Sequence, residues 1–368
     1  MSKKKLASKL CISTKIKDEA SKEVSKWSGK NPNLFWKTLD WNDDIFKNGR
    51  FIRLDITDGN SDLIDFKQYC ETGRYYLVPP GSFYWKKIRE FNPEEKPTAS
   101  GSRFSNLLGL WERGTLKLMG GKTQYANHDN LVNSIKKLKG LNVEDTFTLQ
   151  TRKWMEWGVN NEINALANVL DTFKDSTLLE VGFFKLEESK IPVSSEATEL
   201  LSGNIPSIGA TPDGILIDSE AKKWIVECKC PAPFFLSAKG GDGVYDYRSR
   251  IPHKEIPYYY IPQIQIQMLC TNIKSSLYVS YTPTKGTKIY EMKYNAKFCK
   301  TMIYLLSYIY KNCVKKDGEI KDDFYLNSKV SRLYLSFLNQ LKDLQGSSNL
   351  LFYKERSYQS KKYTKIFY

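Results

Sequence analysis

The sequence predicts a mixed α/β (α+β) protein, and two observations in its central part predict this class. The hydrophobic pattern there gives the order helix, strand, strand, strand, helix, strand (αβββαβ). Turn-forming residues separate these segments. The chain of 368 residues is also 41% hydrophobic, which is enough to build a packed core. We therefore expect an αβββαβ core with extensions on both sides.

The first predicted helix covers residues 151–170, where apolar side chains recur every three or four positions. Strand candidates follow at residues 178–186, 208–217 and 223–229. The polar residues 218–222 form a turn between the last two strands, which are therefore expected to pair as a hairpin.

Pro262 suits the first turn of a second helix, because its φ is already fixed near the helical value and its missing N–H is not needed there. This helix is predicted to end near residue 271. The last strand of the core is predicted over residues 276–282, where apolar residues follow one another closely.

Composition divides the chain into three zones. Residues 1–95 form a basic, aromatic-rich N-terminal extension, and residues 96–312 form the core. Residues 313–368 form a helical C-terminal extension with a basic and aromatic tail. This last zone contains an amphipathic helix, predicted over residues 330–344.

Charge and composition limit the partners. The chain has 56 Lys and Arg residues against 41 Asp and Glu residues, and the net charge of +15 favours a polyanion such as nucleic acid. Seven scattered cysteines and only two histidines predict reduced thiols, without a disulfide framework or a structural zinc site. No apolar run approaches the length of about 20 residues that spans a bilayer, and no secretory signal follows the basic N-terminus. We expect an intracellular protein that does not bind membranes.

The residues that carry chemistry lie on the predicted hairpin. Side chains alternate along a strand, so Glu227 and Lys229 share one face while Cys228 points to the other. The short turn places Asp213 opposite Glu227 or opposite Cys228, depending on the loop length. Two carboxylates and one ammonium group are thus expected to meet at the strand edge, where Pro212 and Gly214 hold the backbone.

Two close carboxylates repel each other unless a cation lies between them, and their hard oxygen atoms suit Mg²⁺ or Mn²⁺. Lys229 could then orient or deprotonate an attacking water, or stabilise the charge of a phosphorane-like transition state. These residues predict a site for phosphodiester hydrolysis. The simpler alternative is a surface hairpin with a Glu–Lys pair.

Pro212-Asp213, followed by Glu227-Cys228-Lys229, resembles the signature of the PD-(D/E)xK nucleases. The longer segments GATPDG (209–214) and ECKCP (227–231) resemble the lambda-exonuclease/YqaJ viral recombinase branch of that superfamily, which includes alkaline exonucleases of large DNA viruses. The resemblance covers about residues 98–285. It implies a restriction-endonuclease-like fold, with a central mixed sheet flanked by helices.

The resemblance also implies roles for residues on the two predicted helices. Glu162 matches the glutamate that faces the metal site from the first core helix. Gln263 and Gln265 match a pattern in which a glutamine contacts the active site. Asp213, Glu227, the Cys228 carbonyl and Glu162 would bind one or two Mg²⁺ ions, with Mn²⁺ as an alternative, and Lys229 would position the attacking water.

A 5′-phosphate site is implied upstream of the first helix. Ser100 matches the family pattern by its neighbouring letters, whereas Ser102 matches it by its distance to Phe104, and Arg103 follows directly. The sequence departs from the lambda-type enzyme in having no arginine shortly after Pro231. Lys239, Arg248 and Arg250 are candidates for that contact.

The resemblance implies a Mg²⁺-dependent 5′→3′ exonuclease that acts on double-stranded DNA, releases mononucleotides and leaves 3′ single strands for recombination, repair or replication. It also implies a homotrimer, a single-strand annealing or DNA-binding partner protein, and, for a viral protein, the host cytoplasm or nucleus. One alternative is an endonuclease or structure-specific nuclease of the same fold. Another is an inactive DNA-binding or packaging protein that retains the fold.

Overall fold

The structure is a computed structural model. It describes residues 28–29, 39–54, 75–90, 98–144, 147–187, 189, 191, 205–237, 243–247 and 249–355. The basic lead-in at residues 3–17, the basic and aromatic tail after residue 355, Lys239 and Arg248 lie outside the described residues. None of the described helices is both long enough and apolar enough to cross a membrane.

The described helices and strands are numbered in chain order. The helices are α1 (Phe83–Glu90), α2 (Phe104–Leu107), α3 (Arg113–Leu118), α4 (Asp129–Leu138), α5 (Leu149–Thr172), α6 (Ile261–Thr271), α7 (Ala296–Ile309) and α8 (Ser331–Gly346). The strands are β1 (Ser28–Gly29), β2 (Phe51–Ile52), β3 (Thr98–Ser100), β4 (Thr177–Leu179), β5 (Phe184–Lys185), β6 (Ser207–Ala210), β7 (Gly214–Ile217), β8 (Lys223–Lys229), β9 (Phe234–Leu236), β10 (Tyr245–Tyr247), β11 (Ser275–Thr282), β12 (Gly286–Lys293) and β13 (Asn349–Lys354).

The main sheet has seven strands in the order β13-β12-β11-β8-β7-β4-β2. It is mixed, since β8 pairs with β11 and β2 with β4 in parallel, whereas the other neighbours are antiparallel. The predicted αβββαβ order is confirmed as α5, β4, β7, β8, α6 and β11. Strands β2 and β13, which come from the two ends of the chain, pair with the same sheet at its opposite edges.

Helices cover both faces of this sheet, and strand β8 shows how alternation divides its side chains. Trp224, Val226 and Cys228 belong to the hydrophobic cluster that includes α5. Ile225 belongs to the cluster on the other face, which includes α6, α7 and α8. Glu227 has the same parity as Ile225, so the sequence places a carboxylate on a face that is otherwise apolar.

Two predicted strands are each divided in the structure. The segment 208–217 splits into β6, which pairs in a small sheet of order β3-β6-β5, and β7, which belongs to the main sheet. Pro212 lies between them and has no N–H to donate to a ladder. The segment 178–186 is interrupted at Gly182, where an added Cβ would lie 2.1 Å from the Val78 carbonyl oxygen. Close packing of two backbones therefore ends the strand there.

The predicted ends of the two core helices are close to the observed ones. Thr148 caps α5, because its Oγ1 accepts a hydrogen bond from the Thr151 N–H at 3.2 Å. Pro262 lies in the first turn of α6. Asn272 ends that helix in the left-handed region, with φ of 58°.

Candidate active site

A cavity of about 220 Å³ lies where the two sheets diverge at Pro212. Its walls come from the β7–β8 hairpin, from α5 and α6, and from the small sheet. Glu162, Asp213, Glu227 and Lys229 all line it. The structure thus brings together the four side chains that the sequence singled out first.

The hairpin register determines where Asp213 lies. Gly214 pairs with Val226, and the Asp213 N–H donates to the Val226 carbonyl at 3.0 Å. The next two residues that face each other across the hairpin are therefore Asp213 and Glu227. This is the first of the two registers that the turn allowed. The Asp213 Oδ2 atom also accepts a hydrogen bond from the Cys228 N–H at 2.6 Å. The carboxylate is therefore fixed over the backbone of the opposite strand.

Glu227 is only 1% exposed, and donors surround both of its oxygens. Its Oε1 atom accepts from the Lys229 ammonium and from the Gln263 amide at 2.6 Å. Its Oε2 atom accepts from the Gln267 amide at 2.6 Å. Burying a carboxylate is costly unless it is hydrogen-bonded, and three donors meet that requirement here.

Burial and mutual repulsion shape the protonation of the site. Burial and the nearby Glu227 raise the pKa of Glu162 to about 7. Burial, Glu227 and Glu162 raise the pKa of Asp213 well above its usual range. Burial disfavours the charged form of Lys229, but Glu227 and Asp213 outweigh it and raise the pKa of the ammonium above its usual value. Lys229 is therefore charged at neutral pH, between carboxylates that repel one another.

The structure does not place Gln265 at the cavity. Its side chain is fully buried, donates to the Lys293 carbonyl at 2.8 Å and accepts from the Asn295 N–H at 2.9 Å, and it does not line the cavity. Residues four apart share a helix face whereas residues two apart do not, so Gln263 and Gln267 face Glu227 together. The spacing within α6 is the signal that could have selected Gln267.

Gln267 has a further feature of interest. Its amide nitrogen also lies 3.1 Å from the Thr211 carbonyl, whereas its Oε1 atom is buried without a hydrogen-bond partner among the described residues. A buried acceptor of this kind is uncommon in folded proteins. It therefore marks a polar position close to the carboxylates where a donor or a cation would be favourable.

Both candidate serines line the cavity. The hydroxyls of Ser100 and Ser102 lie 3.3 Å apart, and Ser102 is exposed whereas Ser100 is buried. The Arg89 guanidinium donates to Ser102 Oγ at 3.0 Å and lies over the Trp85 ring, 4.3 Å from its centroid. Arg89 was missed because it belongs to α1, upstream of the segment that carries the motifs.

Neither of the two predicted arginines that the structure describes lines this cavity. Arg103 and Arg250 do not line it, and Arg248 lies outside the described residues. Residues 101–103 form a 3-10 turn, in which successive side chains point about 120° apart, so Arg103 does not follow Ser102 into the cavity. Arg250 lies over the Phe235 ring, 5.8 Å from its centroid.

A fourth carboxylate, Glu180, also lines the cavity and was missed by sequence reasoning. It directly follows β4, and its Oε2 atom accepts from the Leu54 N–H at 2.9 Å. The Arg53 Nε atom lies 3.7 Å from the same oxygen. Glu180 carries no local motif, since its position depends on pairing between β2 and β4.

A separate acidic and histidine cluster lies outside the cavity lining. His128 Nδ1 is 3.0 Å from Glu112 Oε2 and 3.4 Å from Asp322 Oδ1. The ligand atoms of these three residues lie within 4.8 Å of one another, so the cluster could hold a metal ion. Glu112 also accepts the Asp323 N–H at 2.7 Å. The cluster connects the core to the segment before α8.

The fold and the site define a class of protein. An αβββαβ core with a mixed central sheet, and a hairpin that presents Asp213 opposite Glu227 and Lys229, is the architecture of a PD-(D/E)xK nuclease. The family model described as "YqaJ-like viral recombinase domain" matches residues 85–274, more than half of the chain. The protein belongs to this family.

Among solved structures, the chain is similar to the alkaline exonuclease LHK-Exo from Laribacter hongkongensis, with 17% identity over 77% of this chain and 100% of that chain, at a TM-score of 0.34. The same enzyme in complex with dAMP gives 15% identity over 73% and 94% of the two chains, at a TM-score of 0.31. No curated protein matches the sequence. The family assignment depends on the match over residues 85–274.

Proposed function

We propose that this protein is a metal-dependent deoxyribonuclease that degrades double-stranded DNA from 5′ ends, releases mononucleotides and leaves a 3′ single strand for recombination. The observation that carries the proposal is the single cavity shared by Asp213, Glu227, Glu162 and Lys229. Membership of the recombinase family supports a nuclease, and the alkaline exonuclease neighbours have this activity in their names.

The residues fit a divalent cation. Asp213, Glu227, Glu162 and the Cys228 carbonyl offer hard oxygen atoms, which suit Mg²⁺ or Mn²⁺. Burial and the repulsion of neighbouring carboxylates raise the pKa of Asp213 and of Glu162, and a cation would relieve the repulsion. One or two ions bound there would stabilise negative charge on the phosphodiester and lower the pKa of water.

The surrounding side chains would position the reactants. Gln263 and Gln267 hold Glu227, and Lys229 supplies a fixed positive charge beside it. Water would attack the phosphorus atom in line with the 3′ oxygen, and the P–O3′ bond would break. The released nucleotide would carry a new 3′ hydroxyl, whereas the remaining strand would begin with a new 5′ phosphate.

That new 5′ phosphate fits the polar corner made by Ser100, Ser102 and Arg89. Two hydroxyls and a guanidinium are donors that bind phosphate. Arg89 thereby takes the place of the arginine that the sequence lacks after Pro231. Each round of cleavage would produce the end that this corner binds, which favours stepwise digestion from a 5′ end.

Assembly and partners belong to the same proposal. Kinship with the lambda-type enzymes favours a homotrimer around the duplex and a strand-annealing partner protein. Sedimentation velocity of the full chain, with and without duplex DNA, tests the trimer: a monomer at every concentration would contradict it.

End dependence tests the exonuclease against an endonuclease of the same fold. With Mg²⁺ we expect mononucleotides from a linear duplex, no cleavage of covalently closed circular DNA, and no reaction in EDTA. Linearisation of the circle would establish the endonuclease instead. Binding of both DNAs without any cleavage would favour the inactive DNA-binding protein.

The 5′-phosphate corner has its own test. We expect wild type to digest a 5′-phosphorylated duplex faster than a 5′-hydroxyl duplex, because the phosphate adds charged hydrogen bonds. Arg89→Gln and Ser102→Ala should remove this preference. Arg250→Gln, which removes a guanidinium away from the cavity, is the matched control and should retain it. Equal rates on both ends by wild type would overturn the assignment of this corner.

A further inference from the structure

The segment 39–54 lies upstream of the family match at residues 85–274, yet it helps to build the cavity. Trp41 and Phe51 line one wall, and strand β2 extends the main sheet at its edge. This part of the cavity wall therefore comes from residues outside the family match.

We propose that Arg53, at the end of this segment, binds a backbone phosphate of the DNA strand that enters the cavity. The inference rests on the proposed function for the identity of the ligand, which is DNA. It assigns a substrate-binding residue that the family match does not include.

The position of Arg53 follows from strand pairing. Phe51 pairs with Leu178 and Ile52 with Leu179 in parallel register, so the next residues, Arg53 and Glu180, leave the sheet side by side. The Glu180 N–H donates to the Ile52 carbonyl at 2.8 Å and continues the pairing. Since Glu180 lines the cavity, Arg53 lies at its border.

Aromatic stacking holds the Arg53 guanidinium in place. The rings of Trp41 and Phe51 stack with centroids 4.9 Å apart at 11°. The guanidinium carbon of Arg53 lies over the Trp41 ring, 4.8 Å from its centroid. Stacking occupies the face of a guanidinium but leaves its N–H donors, which lie in the plane of the group, available for hydrogen bonds.

The donors of Arg53 are only partly used. Its Nε atom lies 3.7 Å from Glu180 Oε2, which is long for a hydrogen bond, and its side chain is 47% exposed. Its terminal amino groups have no hydrogen-bond partner among the described residues. By contrast, Arg50 donates to the Leu170 carbonyl at 2.6 Å and to the Phe173 carbonyl at 3.0 Å, so that guanidinium is structural.

The negative charge of the cavity explains why a cation at its border would assist DNA binding. The cavity is lined by the carboxylates of Glu162, Glu180, Asp213 and Glu227, against the cations of Lys229 and Arg89. A DNA phosphate that approaches this acidic cavity is repelled unless cations lie along its path. A guanidinium held at the border suits bidentate binding of a phosphate there.

The test measures binding of a fluorescent, 5′-phosphorylated duplex in Ca²⁺ over a range of salt concentrations, for wild type, Arg53→Gln, Arg53→Lys and Lys47→Gln. Lys47 is the matched control, since it is an exposed cation of the same segment that pairs with Asp44 away from the cavity. Thermal unfolding of each variant checks the fold.

We expect Arg53→Gln to weaken binding by about ten- to hundredfold, as for loss of a charged hydrogen bond. The slope of log K against log salt should fall in magnitude by about 0.7 to 0.9, because one phosphate contact is lost. Arg53→Lys should restore the slope but only part of the affinity, and Lys47→Gln should match wild type.

Three results would overturn the inference: equal effects of Arg53→Gln and Lys47→Gln, weaker binding by Arg53→Gln with an unchanged slope, or no binding of DNA by wild type. The first would indicate a general charge effect and the second a structural role. Failure of the proposed nuclease is a separate outcome, in which wild type binds DNA but does not cleave it in Mg²⁺.

Discussion

At the scale of single residues, the site depends on how Glu227 is held. Its carboxylate shares a face of β8 with Lys229, and α6 brings two amide donors to it from the same side of the sheet. A carboxylate that is 1% exposed would otherwise be unfavourable in this core. Gln263 and Gln267 of α6 therefore hold the central carboxylate of the candidate active site.

The two neighbouring glutamines of α6 should respond differently to mutation. Gln267→Leu removes a donor to Glu227, and we expect kcat per folded molecule to fall about tenfold or more. Gln265→Leu removes contacts to the Lys293 carbonyl and the Asn295 N–H, so it should cost about 1–3 kcal/mol of stability and leave kcat unchanged. Steady-state kinetics and urea unfolding of both variants check this. An activity loss confined to Gln265→Leu would contradict the assignment.

His253 predicts an acid sensitivity of the fold. Its Nδ1 atom lies 2.6 Å from the Tyr278 hydroxyl, and burial, together with Arg250 and Lys229, lowers the pKa of the imidazole from 6.5 to about 4. The folded pKa is below the unfolded one, so the unfolded chain binds the extra proton as pH falls below about 6.5. Stability is therefore lost on acidification toward pH 4.

From pH 7 to pH 5, protonation of this histidine in the unfolded chain should lower the free energy of unfolding by about 2 kcal/mol. His253→Gln cannot take up the proton. Its free energy of unfolding should therefore fall by about 2 kcal/mol less than that of wild type between pH 7 and pH 5. Urea unfolding of both proteins at the two pH values checks the difference. Parallel pH profiles would show that His253 titrates normally in the folded protein.

At the scale of elements, the β7–β8 hairpin was predictable because its information is local. Alternation, the turn at 218–222 and Pro212 are all close together in the chain, and they place Asp213 opposite Glu227 or Cys228. The structure selects Glu227. The division of residues 208–217 between two sheets was not predictable, because alternation does not reveal which strand lies alongside. Gln265 was selected from the family pattern that it shares with Gln263, whereas the helical period pairs Gln263 with Gln267.

Gly286 lies where β12 packs against β13, near the edge of the main sheet that is formed by the C-terminal strand. It begins β12 with φ of 79°, and an added Cβ would lie 1.8 Å from the Lys354 carbonyl oxygen of the adjacent segment. We expect Gly286→Ala to destabilise the protein by at least about 1 kcal/mol, since both the backbone and the neighbour resist it.

Gly158→Ala is the control for that substitution. Gly158 lies inside α5 with nothing within 4 Å of its Cβ position, so alanine should stabilise the helix by about 0.5–1 kcal/mol. Thermal unfolding should therefore shift in opposite directions for the two variants. A neutral Gly286→Ala would contradict the close approach of β13.

At the scale of the whole molecule, the net charge of +15 contrasts with an acidic cavity. Sequence reasoning predicted the core, because its six elements follow in one continuous region. It did not predict that Trp41, Arg89 and Glu180 line the cavity, since these contacts join segments far apart in the chain. Local patterns define elements, whereas contacts between distant segments arise only when the sheet is assembled.

The most direct test of the central claim is the rate of mononucleotide release from a linear, 5′-phosphorylated duplex in Mg²⁺ by Asp213→Asn. This variant retains an oxygen that can accept the Cys228 N–H but loses the charge. Asp218→Asn, in the turn of the same hairpin, is the matched control. We expect Asp213→Asn to lose at least about a hundredfold in rate with an unchanged fold, and Asp218→Asn to match wild type. Digestion by Asp213→Asn at the wild-type rate would contradict the assigned site.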